Sequence, residues 1–380
     1  MLRKIKIFIN NIAALIVFRV LKFIFPKKSN KGEGILFILL APIGDQVIST
    51  IIFQNESFFT EKIYFLVERK YNGVWEDYLG KINIISLNSK LYKWLLPYRI
   101  IWIYRIRNLK IQKTINLNDN KSTVTDELSI FSGANEIIAL SYESEKLQKF
   151  HKKFINKYYD MILFNNDVNQ FEKLFGLLKK LGLQNPIRET RFYLNWNTFD
   201  KVEELLKKSG TQKNDRFITI APFASKRFRS WPLQNFKKLI VQIIESANYK
   251  ILLLGDNQFA DEIDEISRIN INSIINLAGK TSIVECAGII KLSKIFIGND
   301  SGLAHIAKAL NISLIAIIGG GMYNRFFPYN MKKNEHYLYE KMNCFGCEWK
   351  CIYKNPRCLT EVKVEKVFKQ VQNHLDGTIK

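Results

Sequence analysis

The chain has 380 residues, 47% of them hydrophobic and 24% charged. At roughly 150 residues per domain this supplies apolar material for two sizeable cores, and it excludes a mostly disordered chain, a collagen-like chain and a disulfide-dense miniprotein. Lys and Arg number 57 against 35 Asp and Glu, a net charge of +22. Such a surplus draws polyanions: nucleic acid, anionic lipid or phosphorylated glycan. Composition does not choose among them, and the frequent Ile, Lys and Asn also fit a base-biased genome.

Residues 1–32 hold no acid, but they hold Arg3, Lys4, Lys6, Arg19, Lys22, Lys27, Lys28 and Lys31. Between the outer charges runs an apolar stretch, Ile7 to Phe25, interrupted by Asn10, Asn11, Arg19 and Lys22. A spanning helix needs about 20 mostly apolar residues, so this stretch is a poor one. No small-residue cleavage site follows, against a signal peptide. The pattern predicts an amphipathic helix lying in an anionic membrane interface, with Phe8, Phe18, Phe23 and Phe25 on its apolar side. The alternative is a helix packed on the body of the protein. Pro26 ends the helix, and residues 27–34 read as a linker.

Gly34 is followed by ILFILLA, a continuous apolar run of strand length, as in a sheet buried on both faces. Then come Pro42-Ile43-Gly44-Asp45 and a helical QVISTIIF. Further strands are predicted at Lys62–Val67, Ile82–Ser86, Ile100–Tyr104 and Thr114–Asn116, and a helix over Asn169–Leu183. Arg188–Asn197 is strand-like and polar, and is taken as the domain junction. The second half alternates more clearly. Strands are predicted at Arg216–Ala221, Tyr249–Gly255, Ile274–Leu277, Lys294–Ile297 and Ile312–Ile318. Between them helices are predicted at Trp231–Ser246, Asp261–Ile269, Ser282–Leu292 and Ser301–Leu310. Strands alternating with helices of this length mean parallel βαβ units, so the fold class is α/β, with two doubly wound sheets facing a cleft. Ligands bind such sheets beyond the carboxyl ends of the strands.

Three strand-to-helix turns carry the polar residues that such a site needs. ILFILL-APIGD places Asp45 at a helix start; ITIAPFASKRFRSW crowds Ser225, Lys226, Arg227 and Arg229 before a helix; IFIGNDSGLAHIA puts Asp300, Ser301 and Gly302 at another, with His305 one turn on. Asp45 and Asp300 also suit plain helix caps. A helix start rich in small residues presents free amides to a phosphate, and cations on an adjacent turn complete a diphosphate site.

These segments, with INLAGKTSIVECAGIIKLSKIFIGNDSGLAHIAKAL and the tail RCLTEVKVEKV, resemble glycosyltransferase family 9, the ADP-heptose:lipopolysaccharide heptosyltransferase family. The resemblance spans most of residues 35–370. It implies the GT-B architecture of two Rossmann-like domains: a basic helix and linker over 1–33, an acceptor domain over 34–195, and a nucleotide-sugar domain over 196–380. It implies an inverting transferase that moves a heptose or related sugar from a nucleotide-diphosphate donor, such as ADP-heptose, to a lipopolysaccharide-type or other cell-surface glycan acceptor. No metal is needed for that chemistry. The enzyme would sit in the cytoplasm, peripheral on the inner face of the membrane.

By the same resemblance Asp45 matches the catalytic aspartate, the general base. The family's lysine two residues before the tryptophan is Arg229 here, with Lys226 nearby and Ser225 preceding; arginine keeps the charge and changes the geometry. Asp300, Ser301, Gly302 and His305 match the donor-binding D-[ST]-G-x-x-H stretch, and Thr281 falls where the family contacts the base. Asp256 and Asp261 both suit the acidic ribose contact. Two other readings remain: an inactive scaffold of the same fold, and a basic nucleic-acid-binding protein, for which no motif is present.

Cys344, Cys347, Cys351 and Cys358 have the spacing C-x2-C-x3-C-x6-C. Four thiolates that close can hold a structural zinc, or pair as disulfides outside a reducing compartment. Cys286 lies in a helical pattern and is expected in the core.

Overall fold

The apolar runs of the sequence become strands of two parallel sheets in a computed structural model that describes residues 14–26, 32–78, 80, 82–119, 122–141, 154–164 and 168–376. The first sheet holds β1 (Gly34–Leu39), β2 (Lys62–Glu68), β3 (Ile82–Leu87), β4 (Ile111–Asn116), β5 (Glu136–Ser141) and β6 (Met161–Phe164). The second holds β7 (Phe217–Ala221), β8 (Lys250–Leu253), β9 (Ile274–Asn276), β10 (Ser293–Asn299), β11 (Ser313–Ile317) and β12 (Glu335–Leu338). Their orders are β3-β2-β1-β4-β5-β6 and β12-β11-β10-β7-β8-β9, so each sheet reverses direction once, at β1/β4 and at β7/β10.

The two-residue period of a strand divides the core into layers. Ile35, Phe37 and Leu39 of β1 face a cluster that also takes in Phe296, Leu314 and Ala316 of the second sheet. Leu36 and Ile38 face the outer side of the first sheet. Ile218, Ile220, Ile295 and Ile297 face the outer side of the second, beneath the helices Leu233–Ser246 and Val364–Leu375. The central cluster therefore runs through both halves of the chain.

Two glycines let the halves meet at their helix starts. A Cβ on Gly302, at the start of the helix Gly302–Ala309, would lie 1.9 Å from Ile43 Cγ2, and one on Gly44 would lie 2.8 Å from His305 Cδ2. The helix Ile43–Phe53 and the helix Gly302–Ala309 thus touch backbone to side chain at their first turns.

Most predicted elements stand within a residue or two, and caps explain their starts. Asn169 caps the helix Gln170–Lys180, and Ser282 with Glu285 forms a capping box on Ile283–Leu292. Two expectations are overturned. Ile100–Tyr104 is not a strand; it lies inside the helix Leu96–Asn108, with Pro97 in its first turn. Residues 188–195 form no strand, and the helix Trp196–Lys208 follows them. The helix Thr123–Ile130 and strands β5, β6 and β12 had no counterpart in the sequence reading.

Residues 14–24 are helical. The rest of the basic N-terminal segment, 1–13 and 27–31, lies outside the described residues. Phe18, Leu21 and Phe25 are buried against the protein's own body, beside Trp102, Ile103 and Ile106. Phe18 and Phe25 are therefore not available to a membrane, whereas Phe23 is 89% exposed. No helix among the described residues is long and apolar enough to cross a membrane.

Gly302→Ala should lower Tm by several degrees, because the added methyl has no space against Ile43. Ile43→Ala in the same chain should recover part of the loss. Equal Tm values for wild type and Gly302→Ala in a thermal melt would refute the tight contact.

Candidate functional site

An open cleft of about 1420 Å³ lies where both sheets reverse, at the carboxyl ends of β1, β7 and β10. Asp45, Ser225, Arg229, Thr281, Asp300, Ser301, Gly302 and His305 all line it. Lys226 does not; it is exposed at the start of the turn Arg227–Arg229. Of the two acids expected after β8, Asp256 lines the cleft and Asp261 does not, standing in the first turn of the helix Ala260–Ser267. Cys286 is buried as expected, and its Sγ lies 3.1 Å from the Thr281 hydroxyl.

Asp45 is no helix cap. Pro42 occupies the cap position, and no side chain caps the helix. The Asp45 carboxyl is buried, and its pKa is pushed up to about 7, first by desolvation and then by the Asp119 carboxylate, with Asp300 adding less. Arg325 pulls the other way. Asp119 is held by two cations, Lys173 Nζ at 2.8 Å and Arg325 at 2.9 Å. This acid follows β4 just as Asp45 follows β1, and the carboxyl-edge rule applied to Thr114–Asn116 would have found it. Arg325 comes from a loop without a sequence signal.

Asp300 is no cap either, since Ser301 takes that position without a side-chain bond. Burial raises the Asp300 pKa, and Arg229 opposes the shift from 3.8 Å. The turn that carries Arg229 is fixed from below. Asn299 donates to the Pro222 carbonyl at 2.8 Å and accepts from the Trp231 amide at 2.7 Å, while the Ala224 amide donates to Ser230 Oγ at 2.9 Å. Arg229 Nε and Ser301 Oγ are buried and have no hydrogen-bond partner among the described residues. A buried donor left unmade is costly, so both groups point to an anionic ligand at this helix start.

His305 lies flat on Phe327 with ring centroids 3.9 Å apart, and its Nδ1 is 3.2 Å from the Tyr329 hydroxyl. Burial, helped by Lys308, lowers its pKa to about 3. The ring is neutral across the physiological range and acts as a hydrogen-bonding wall, not as a cation.

The cysteine segment supplies a residue that the sequence reading missed. Trp349 lies under Arg229, 5.3 Å from guanidinium carbon to ring centroid, and edge-on to Phe228. The segment docks on Gly319-Gly320-Gly321, where any Cβ would strike Phe345 or Trp349. The amides of Gly346 and Glu348 donate to the carbonyls of Gly320 and Gly321. Cys344, Cys347, Cys351 and Cys358 line one small cavity of about 10 Å³, and all four are free thiols. Burial raises the Cys358 pKa, its bond from the Gly320 amide lowers it, and the other three cysteines add to the rise. As placed, no three His, Cys, Asp or Glu among the described residues are grouped to hold a metal.

Two doubly wound sheets bring helix starts, three carboxyls and the Arg229 guanidinium to one cleft. Comparison with known proteins sharpens that. The profile of Glycosyltransferase family 9 (heptosyltransferase) matches residues 120–353, more than half of the chain, and the chain belongs to that family. Lipopolysaccharide heptosyltransferase 1 of Campylobacter coli is 27% identical over 353 residues, which cover 89% of this chain and 98% of that protein. Alignments with other curated heptosyltransferases, from Campylobacter jejuni and Escherichia coli, span 43–48% of those proteins, so there the chain matches about half of the relative's length. Among solved structures, the glycosyl transferase family 9 protein of Veillonella parvula superposes with a TM-score of 0.76 at 16% identity, over 91% of this chain and 98% of that one. Escherichia coli ADP-heptose lps heptosyltransferase II gives 0.71 at 15% identity, over 91% and 99%. The fold they share is the GT-B arrangement expected from the sequence.

The His305 ring should resist protonation. Its NMR shifts should stay flat from pH 8 to pH 5, whereas an ordinary histidine titrates near 6.5. The sign for stability follows: below about pH 6.5 the unfolded chain binds a proton that the folded chain refuses, so this residue makes stability fall with acid. A midpoint near 6.5 for His305 would overturn the buried, neutral assignment.

Proposed function

We propose that this protein is an inverting glycosyltransferase that moves a heptose or related sugar from a nucleotide-diphosphate donor, ADP-heptose or similar, to a lipopolysaccharide-type acceptor. The observation that carries the reading is Asp45, a buried carboxyl whose pKa is raised to about 7 and which lines one cleft with Arg229, Ser301 and Asp300. Residues 34–195 take the acceptor and residues 196–380 the donor. The enzyme works at the cytoplasmic face of the membrane, peripheral to it.

In this mechanism Asp45 accepts the proton of the acceptor hydroxyl. The oxygen then attacks the anomeric carbon from the side opposite the diphosphate, which inverts the configuration. A pKa near 7 suits a general base at neutral pH, since the carboxylate is present and still basic enough to take the proton. The charge that grows on the leaving diphosphate falls on Arg229 and on the amides and hydroxyl at Ser301, which are fixed before the reaction. Asp300 orients Arg229 from one side and Trp349 supports it from below. Asp256 and Thr281 serve the nucleoside. We also propose that the four cysteines close on a structural zinc. Their spacing and donor chemistry support it, and the thiols must move from their present positions to do so; elemental analysis of purified protein without zinc would remove this part.

Four outcomes check the reading. Rate against pH should rise with a single proton lost near 7 and level off above, because the base works only ionised. Asp45→Asn should abolish that limb, lower turnover about 10²–10⁴-fold and leave the Kd for the nucleotide diphosphate unchanged. Arg229→Ala should weaken that Kd about tenfold or more, as expected for loss of a charge-assisted contact worth about 1.5–3 kcal/mol. Trp349→Ala should weaken it less, with Trp349→Phe restoring it. Calorimetry that finds one affinity for wild type, Arg229→Ala and Trp349→Ala would sink the donor site.

A further inference from the structure

Resting on the reading of a membrane-linked acceptor, we propose that the outer helices of the first sheet, Ser89–Trp94 and Leu96–Asn108 together with helix 14–24, form the face that docks on an anionic lipid bilayer. The sequence points to the N-terminal segment for this role, and the described residues offer a second face beside helix 14–24.

The first observation is exposure. Leu91, Trp94, Leu95, Leu96, Ile101 and Tyr104 are all exposed, Trp94 by 74% and Tyr104 by 61%. Most large apolar residues outside a core are scattered singly, and a group such as this marks an interaction site. Helix 14–24 lies on the same side of the sheet, since Phe18 and Leu21 share a cluster with Trp102 and Ile103. Its opposite side exposes Ile16, Val20, Phe23 and Ile24, one stripe at helical spacing.

The second observation is charge, which selects the occupant. No Asp or Glu lies between Asp77 and Asp119, while Lys90, Lys93, Arg99, Arg105, Arg107 and Lys110 do. Arg99 faces inward to Glu127, and Arg107 donates to the Pro26 carbonyl. Lys93 lies beside the exposed ring of Trp94 and Arg105 over the buried ring of Trp102, so exposed cations share this layer with the exposed Trp94 and Tyr104. Tryptophan and tyrosine rings flanked by lysine and arginine suit the headgroup region of an anionic bilayer.

The third observation is position. The helix Ser89–Trp94 begins at an open groove of about 1180 Å³, lined by Arg69, Lys70, Asn88, Ser89 and Lys90 among others. That groove shares Pro42 and Tyr71 with the cleft of Asp45. A face docked here would set the groove mouth at the bilayer surface, and a lipid-borne, anionic acceptor would run past Arg69, Lys70 and Lys90 toward Asp45.

The test is flotation of the full-length protein with phosphatidylethanolamine vesicles containing phosphatidylglycerol, and with neutral phosphatidylcholine vesicles. Wild type should float with the anionic vesicles only. W94S/I101S/Y104S should partition at least tenfold more weakly, and K93Q/R105Q roughly 25-fold more weakly at low salt, about fivefold per charge. Both variants should keep wild-type Tm, nucleotide affinity and turnover on a delipidated acceptor. A triple variant that floats like wild type would overturn the proposal, and loss of flotation in Phe23→Ser would then place the anchor on helix 14–24 alone. A triple variant that floats normally but changes from dimer to monomer would assign the face to a second copy, which also overturns it. Wild type that fails to float removes the membrane face altogether; turnover on the delipidated acceptor would then still stand, separating this failure from that of the catalytic reading.

Discussion

The site depends on one contact, the meeting of two helix starts at Gly44 and Gly302. Only hydrogen fits where Gly302 faces Ile43, and only hydrogen fits where Gly44 faces the His305 ring. The helix after β1 brings Asp45 and the helix after β10 brings Asp300 and Ser301. With side chains at the glycines the helices would stand apart, and the two carboxyls would no longer feel each other. Instead Asp300 contributes to the raised pKa of Asp45 across the contact. The backbone approach thus adds the smallest share to a shift that burial and Asp119 set first.

Charge at the cleft is mixed, with Asp45, Asp256 and Asp300 lining it beside Arg229. Asp119 is satisfied by Lys173 and Arg325, and its residual field raises Asp45 while Arg325 lowers it. Desolvation is the largest cause, so burial sets the scale and the neighbours trim it. On the other side, Asp300 sits against Arg229 and the neutral His305, with Trp349 beneath the guanidinium. The cysteine segment matters through that tryptophan: its docking on three successive glycines ties the far end of the chain to the cation at the cleft. A rigid cation is worth more to a developing diphosphate charge than a mobile one, because no reorganisation is needed when the charge appears.

The sequence reading was reliable where local signals agreed. In the second half, strand-length apolar runs, cap residues such as Ser282 and glycines between elements all marked the same boundaries. The carboxyl-edge rule then found Asp45, Asp300 and Arg229 and missed Asp119, which obeys it equally. Lys226 was drawn in by its neighbours and points elsewhere, since order along a turn does not specify direction. Arg325 and Trp349 were illegible because their partners lie far away in the chain. The run IIWIY looked like a buried strand because nearly all of it is apolar. It is a helix with Trp102, Ile103 and Ile106 inward and Ile101 and Tyr104 outward. Periodicity fails when both faces of a helix are apolar for different reasons.

That failure bears on the net charge. A surplus of +22 states that a polyanion is attractive and says nothing of where. The acid-free stretch at the N-terminus drew attention to one end, yet a second acid-free stretch runs from the residue after Asp77 to the residue before Asp119. Folding lays the middle of it, the helices Ser89–Trp94 and Leu96–Asn108, on the outer side of the first sheet. A helix that must bury one face in the protein and offer another to lipid cannot show the apolar-polar alternation of an ordinary surface helix. Its exposed side carries rings, aliphatic chains and cations without acids, and the two-sided apolarity that misled the strand assignment is the property on which the proposed bilayer face rests.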